Sequence, residues 1–213
     1  MKSAAVLVLA TDGVEHGELE AAVTGLRDMG ARVDIATPGG ASVTSWRDGN
    51  WFAEIEATMP LTHVDADEYD GLVLPGGQLN SGALRTSFAA VRLVNQFLSG
   101  GRMVAAICHA PWLLVEVGAI SGVAVTSHPA IRTDLENAGA RWTGRPVMRS
   151  GGIITARSLE DLDSFIEEIA RELESRGKWL RRRELATVSA GIRADYAQFV
   201  APQDDPEDKE TPD

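Results

Sequence analysis

Met103-Val104-Ala105-Ala106-Ile107-Cys108-His109-Ala110-Pro111-Trp112 joins five apolar residues to the only cysteine in the chain and then to a proline. The apolar run after Gly100-Gly101-Arg102 reads as a buried strand, and Pro111 suits the first turn of a helix, where its missing N–H leaves nothing unpaired. Cys108 therefore falls on a strand-to-helix corner. Such an elbow needs small residues two positions to either side of the nucleophile, a need that Ala106 and Ala110 meet. Unpaired amides and the positive end of the helix dipole are expected to favour thiolate over thiol there. A lone cysteine at a strand end also reads as a small buried hydrophobe, and the local pattern leaves both readings open.

Outward from the elbow the chain alternates strand and helix. Ser3 to Leu9 is an apolar run followed by turn chemistry at Thr11-Asp12-Gly13. Leu19, Ala22, Val23, Leu26 and Met29 recur at helical spacing, Gly30 closes that helix, and Arg32 to Ala36 reads as a second strand. This β-α-β unit, with a right-handed crossover expected, carries neither G-x-G-x-x-G nor G-K-[ST], so a nucleotide phosphate site is not supported.

Residues 38–62 read as an extended excursion whose Val43, Trp46, Trp51, Phe52 and Ile55 cover the core or meet a second subunit, the first being preferred. Gly71-Leu72-Val73-Leu74 is a central strand that stops at Pro75-Gly76-Gly77, a turn whose amides are open to a ligand. Leu84 through Leu98 are expected to be helical, Val123 to Val125 a short strand, Ile131 to Ala138 a short helix, and Trp142 to Ala156 paired strands around Ser150-Gly151-Gly152. Leu159 to Leu173 is an amphipathic helix with Ser158 as its expected N-cap. The pattern predicts an α/β fold: a doubly wound, mostly parallel sheet with helices on both faces and ligands at the carboxyl ends of its strands.

Composition limits the partners. A chain of 213 residues with 44% hydrophobic residues fits one globular domain, and its formal net charge of -11 disfavours nucleic acid and anionic membrane surfaces. The apolar start is too short for a signal peptide or a membrane span and a single cysteine makes no intrachain disulfide, so a reducing cytoplasm is expected. The domain is read as residues 1–175, followed by a helical extension at 176–200 and an acidic disordered tail at 201–213. Nothing has zinc-ligand spacing, and no metal or cofactor is expected.

Glu18, Gly76-Gly77, Cys108 and His128 all follow predicted strand ends, which in a doubly wound sheet meet at one rim. A buried, protonated carboxyl beside the cysteine can donate to a thiolate, whereas an ionised one would raise the thiol's pKa. Glu15 and Glu18 also read as the ordinary acidic first turn of a helix. The amides of Gly77 and His109 could hold an oxyanion, and His109 could accept a proton. His16 and His63 are read as surface residues.

Four segments carry a resemblance: Gly13-Val14-Glu15-His16-Gly17-Glu18-Leu19, Tyr69 to Gly77, Ala105-Ala106-Ile107-Cys108-His109-Ala110-Pro111 and Thr126-Ser127-His128-Pro129. Together, over residues 3 to about 174, they resemble the ThiJ/PfpI family of the class I glutamine-amidotransferase-like superfamily. The resemblance implies a flavodoxin-like sandwich and a homodimer or an assembly of dimers. It casts Cys108 as nucleophile, Glu18 as its bonded carboxyl, Gly77 and His109 as amide donors, His109 as the catalytic histidine, and Gly76, His128 and Glu15 as pocket residues. Members are described as deglycases or glyoxalases, as intracellular peptidases, and as stress proteins with an oxidisable cysteine. Ala110 stands where the branch usually has glycine. Gln78-Leu79-Asn80-Ser81 lacks the acid that peptidase-like members supply to a neighbouring subunit's histidine, which sets proteolysis behind the other readings. The leading expectation is therefore a cysteine enzyme acting on a small reactive carbonyl or a glycated protein. A redox-sensing or chaperone-like stress protein is the alternative, and a peptidase the third reading.

Overall fold

A computed structural model describes residues 3–178. The order is β1 (Ala5–Leu9), α1 (His16–Asp28), β2 (Arg32–Thr37), the hairpin strands β3 (Val43–Arg47) and β4 (Asn50–Ile55), β5 (Met59–Pro60) and β6 (Gly71–Leu74). There follow α2 (Gln78–Arg85), α3 (Phe88–Ser99), β7 (Met103–Ile107), α4 (Pro111–Glu116), β8 (Ala124–Val125), α5 (Arg132–Asn137), β9 (Arg141–Trp142), β10 (Val147–Ser150), β11 (Ile153–Ala156) and α6 (Leu162–Ser175). The readings of a helical extension and a disordered tail fall almost wholly outside the described residues.

The main sheet has the order β10-β11-β7-β6-β1-β2-β5, with every pairing parallel except that of β10 with β11. The chain steps from β1 to β2 on one side and then returns to β6 on the other, so the β1/β6 seam is the point where the winding reverses. At such a seam the loops leave the strand ends in opposite directions and open a crevice. The central strands β6 and β7 are buried along their whole length because helices cover both faces, which is why their sequences are continuous apolar runs rather than alternating ones.

Two apolar layers sandwich the sheet. Leu19, Leu26, Phe165, Ile166, Ile169 and Leu173 belong to one. The other includes Leu84, Leu93, Phe97, Leu113 and Leu114 from α2, α3 and α4. α1 and α6 approach closely where Gly25 faces Ile166, since a Cβ there would lie 3.1 Å from Ile166 Cδ1.

Three local expectations are corrected. The helix expected from Leu84 to Leu98 is two helices broken at Thr86-Ser87, where the Ser87 hydroxyl accepts from the Ala90 amide at 3.4 Å and starts α3 afresh. Ser158 does not cap the last helix. A 3₁₀ turn at Leu159–Asp161 comes first, and Asp161 stands at the helix start with its carboxylate taken by Arg157. The aromatic excursion is the β3–β4 hairpin, and although Val43 is buried, Trp51 and Phe52 are 55% and 49% exposed, so these two do not cover the core.

Candidate active site

Cys108 follows β7 with φ 62°, in the left-handed region that residues with a side chain rarely occupy. Its amide donates to Ala156 O at 3.0 Å and its carbonyl accepts from the His128 amide at 2.9 Å. The strained turn is therefore pinned from both sides, by β11 and by the segment after β8. Ala110 is fully buried beside the turn, in keeping with the need for a small residue there. Cys108 itself is only partly buried.

Glu18, in the first turn of α1, is 1% exposed and hydrogen-bonds to Cys108. Its Oε2 also accepts the Gly76 amide at 2.7 Å. Burial first, and the charge of Glu15 second, push the Glu18 carboxyl up to about 8, so it is an acid at neutral pH. The thiol is likewise pushed up, by burial and then by the Glu18 charge, while the amides of Gly77 and His109 pointing at the sulfur oppose the shift. This corrects the expectation that the elbow would activate the thiol by itself: desolvation of the sulfur outweighs the amides. Glu18 and Cys108 form a coupled pair whose first proton leaves as a property of the pair. When the remaining proton sits on Glu18, the two amides hold the thiolate.

Gly76 corrects a second expectation, since its amide is spent on Glu18 and is not open to a ligand. Gly77 has φ 90°, and a side chain there would run into the backbone of Gly13 and Glu15. The loop is fastened by Asn80, which is fully buried. Its Nδ2 donates to Pro75 O and Gly76 O at 3.0 Å each, and its Oδ1 accepts the Thr11 amide at 2.8 Å.

His109 Nδ1 lies 3.2 Å from Cys108 Sγ, within hydrogen-bonding reach. Its ring stacks on His128 with centroids 4.6 Å apart, and burial followed by His128 lowers its pKa to about 4. It is thus a neutral imidazole in ordinary buffers. His128 Nδ1 accepts from the Ala130 amide at 3.2 Å. Glu15 caps α1 through the Gly17 amide at 3.3 Å. His16 is not a plain surface residue, since its Nδ1 lies 3.1 Å from Ser45 Oγ and its ring packs edge-on to Phe52.

A pocket of about 510 Å³ opens over Cys108, with Glu15, Glu18 and His128 on its walls. Arg157, Ser158 and Glu160, which follow β11, complete it. The sequence reading missed these residues and Asn80. The rim rule applied to the end of β11 would have found Arg157, whereas nothing in the sequence marked Asn80 as a buried clasp. Among the described residues no group of three or more histidine, cysteine or acidic side chains could hold a metal ion.

A parallel α/β sandwich with a cysteine elbow and a bonded carboxyl at the switch point defines a class of cysteine-centred proteins. The DJ-1/PfpI family matches residues 4–172, and the chain belongs to that family. It is 32% identical over 168 residues to a protein from Thermococcus kodakarensis named as a deglycase, covering 79% of this chain and 98% of that one. The Drosophila melanogaster protein dj-1beta is 34% identical over 177 residues, covering 83% and 92% of the two chains. The crystal structure of Drosophila DJ-1beta superposes with a TM-score of 0.77 over 90% of this chain and 98% of its own.

Proposed function

We propose that the protein is a cysteine-dependent enzyme of the deglycase or glyoxalase kind, acting on small reactive carbonyls or on glycated groups. The observation that carries the reading is the pair of Cys108 at φ 62° and a Glu18 acid held near 8, facing one pocket. The Cys108 sulfur adds to an aldehyde carbon, the carbonyl electron pair moves to oxygen, and the Glu18 proton neutralises that oxygen to give a hemithioacetal. The amides of Gly77 and His109, close to the sulfur, stabilise charge before and during addition. Neutral His109, 3.2 Å from the sulfur, can take or return a proton. The deglycase name of the Thermococcus relative supports this reading. Methylglyoxal consumption should vanish in Cys108→Ser, and survival of the activity in that variant would overturn the assignment.

A redox-sensing role is the second reading, favoured by the Glu18 acid, which can donate to a sulfinate formed on Cys108. Mass spectrometry after mild peroxide should then find Cys108 oxidised ahead of a model thiol. Peptidase action stands third. His109 has ring partners in Trp112 and His128, and Gln78-Leu79-Asn80-Ser81 offers it no acid.

We place the protein in the cytoplasm as a homodimer or an assembly of dimers, without nucleic-acid or membrane partners. The net charge of -11 and the half-exposed Trp51 and Phe52 support this. Light scattering on the purified chain tests the assembly, and a monomer at micromolar concentration would refute it.

A further inference from the structure

We propose that Ser127 and Trp142 are positioning residues for the reacting thiol: the small β8–β9 strand pair is a bracket that reaches the elbow through the Ser127 hydroxyl and fixes the two histidines beside Cys108. Neither residue acts on the sulfur directly. The inference rests on the reading of Cys108 as the nucleophile and adds to it what keeps the neighbouring imidazoles in place.

The hydrogen bonds run in one direction. An indole N–H can only donate, and Trp142 Nε1 lies 3.0 Å from Ser127 Oγ, which accepts it. The Ser127 hydroxyl keeps its own proton and donates it to His128 O at 2.9 Å. The His128 amide in turn donates to Cys108 O at 2.9 Å, and the His128 ring stacks on His109 with the two planes 21° apart. Three consecutive bonds thus join Trp142 to the left-handed residue of the elbow. Ser127 stands in the middle of them, fully buried.

The far end of the bracket is itself held. β8 and β9 pair in parallel with Val125 beside Trp142, and the Thr143 amide donates to Val125 O at 2.9 Å. The Arg132 guanidinium lies over the Trp142 ring at 5.0 Å. Gly144, at φ 62°, comes so close that a Cβ there would stand 2.9 Å from Trp142 Cζ3. The indole is therefore packed on two sides with its N–H turned toward Ser127. An indole N–H or a carbonyl left unpaired in this desolvated place costs stability, and one serine hydroxyl meets both demands. Position matters at the other end, because His109 Nδ1 lies 3.2 Å from Cys108 Sγ. A misplacement of about 1 Å in such a pair costs on the order of 100-fold in rate.

The test sets two bracket variants of the full chain against a distant one, under conditions where near-ultraviolet circular dichroism shows each to be folded. Iodoacetamide alkylation, in which the Cys108 sulfur displaces iodide, reads the thiol without assuming a substrate. Ser127→Ala should slow it about tenfold and lower kcat for methylglyoxal about as much, with KM within about twofold of wild type. Trp142→Phe, which keeps a ring and removes the N–H, should slow alkylation about threefold. The double variant should be no slower than Ser127→Ala alone, because the chain of bonds is already broken. Ser87→Ala, which removes the cap of α3 and so also costs stability, should leave alkylation at the wild-type rate. Wild-type alkylation in Ser127→Ala, equal slowing in Ser87→Ala, or effects that multiply in the double variant would each overturn the bracket. Should Ser127→Ala not fold, Trp142→Phe decides, and alkylation at the wild-type rate in that variant overturns the bracket as well. If wild type consumes no methylglyoxal, the enzyme reading falls while the alkylation series still judges the bracket.

Discussion

The Gly76 amide donates to Glu18 Oε2 at 2.7 Å, and the place where a Gly76 side chain would stand lies 2.5 Å from that oxygen and 2.5 Å from Cys108 Cβ. Glycine is therefore what allows the carboxyl and the sulfur to meet. Gly76→Ala must push one of them aside. It should cost about 1–3 kcal/mol in denaturant unfolding and slow iodoacetamide alkylation of Cys108 by about tenfold or more, whereas alkylation at the wild-type rate would show that the pair tolerates separation.

The raised Glu18 carboxyl gives stability a definite slope. Folded Glu18 holds its proton to about pH 8, while the unfolded carboxyl releases it near 4.5. As pH rises the unfolded state loses its proton first, so the stabilisation present below 4.5 declines through the window and is lost by about 8. Relative to Glu18→Gln, which cannot ionise, wild type should lose on the order of 3–5 kcal/mol from pH 4 to pH 9 in urea titrations. A flat difference would mean that the carboxyl is ionised throughout.

The same pair fixes the reactivity profile. Wild-type alkylation should climb with an inflection near pH 8, where the pair sheds its first proton. Glu18→Leu keeps the sulfur in its partly desolvated turn and removes the donor, so its inflection should move upward by about one unit or more. Unchanged pH dependence in Glu18→Leu would separate the two groups.

Much of this arrangement is legible in the sequence because it rests on short-range rules. Val104 to Ile107 is apolar at every position since β7 is covered on both sides, and Ala106 and Ala110 announce the elbow by their size. Strand ends at Leu74 and Ile107 must share a rim in a parallel sheet, which brought Gly77 and Cys108 together in advance. What escaped depends on burial and on distant partners. The thiol's upward shift arises from desolvation, which only the packed loops create. Asn80 looks like any polar helical residue until Pro75, Gly76 and Thr11 turn their backbones toward it. Ser158 lost its expected capping role because its carbonyl accepts the Asp161 amide at 3.0 Å, closing a 3₁₀ turn that moves the helix start to Leu162, a choice of backbone turn that sequence spacing does not rank.

Asn80 makes three bonds, two of them fully buried, to two loops that otherwise meet through the Glu15 amide and Gly76 O at 3.2 Å. Asn80→Ala leaves one partly buried donor and part of two carbonyls unsatisfied and should cost about 2–4 kcal/mol. Because the clasp also sets where the Gly77 amide points, alkylation of Cys108 should slow even under conditions where the variant is fully folded. Full reactivity in the folded variant would confine Asn80 to a stabilising role.

The left-handed backbone at Cys108 can be weighed directly. At φ 62° a Cβ is disfavoured, and two hydrogen bonds, to Ala156 O and from the His128 amide, hold the residue there regardless. Both Cys108→Ala and Cys108→Gly remove the sulfur, but only glycine relieves the strain. Glycine ordinarily loses to alanine through the entropy of the unfolded chain, by about 0.5–1 kcal/mol. At this position the order should reverse, with Cys108→Gly equal to or more stable than Cys108→Ala by about 1 kcal/mol in paired urea melts. If alanine proves the more stable of the two, the elbow stores no strain, and Cys108 is set in place by its neighbours' packing rather than held against its own preference.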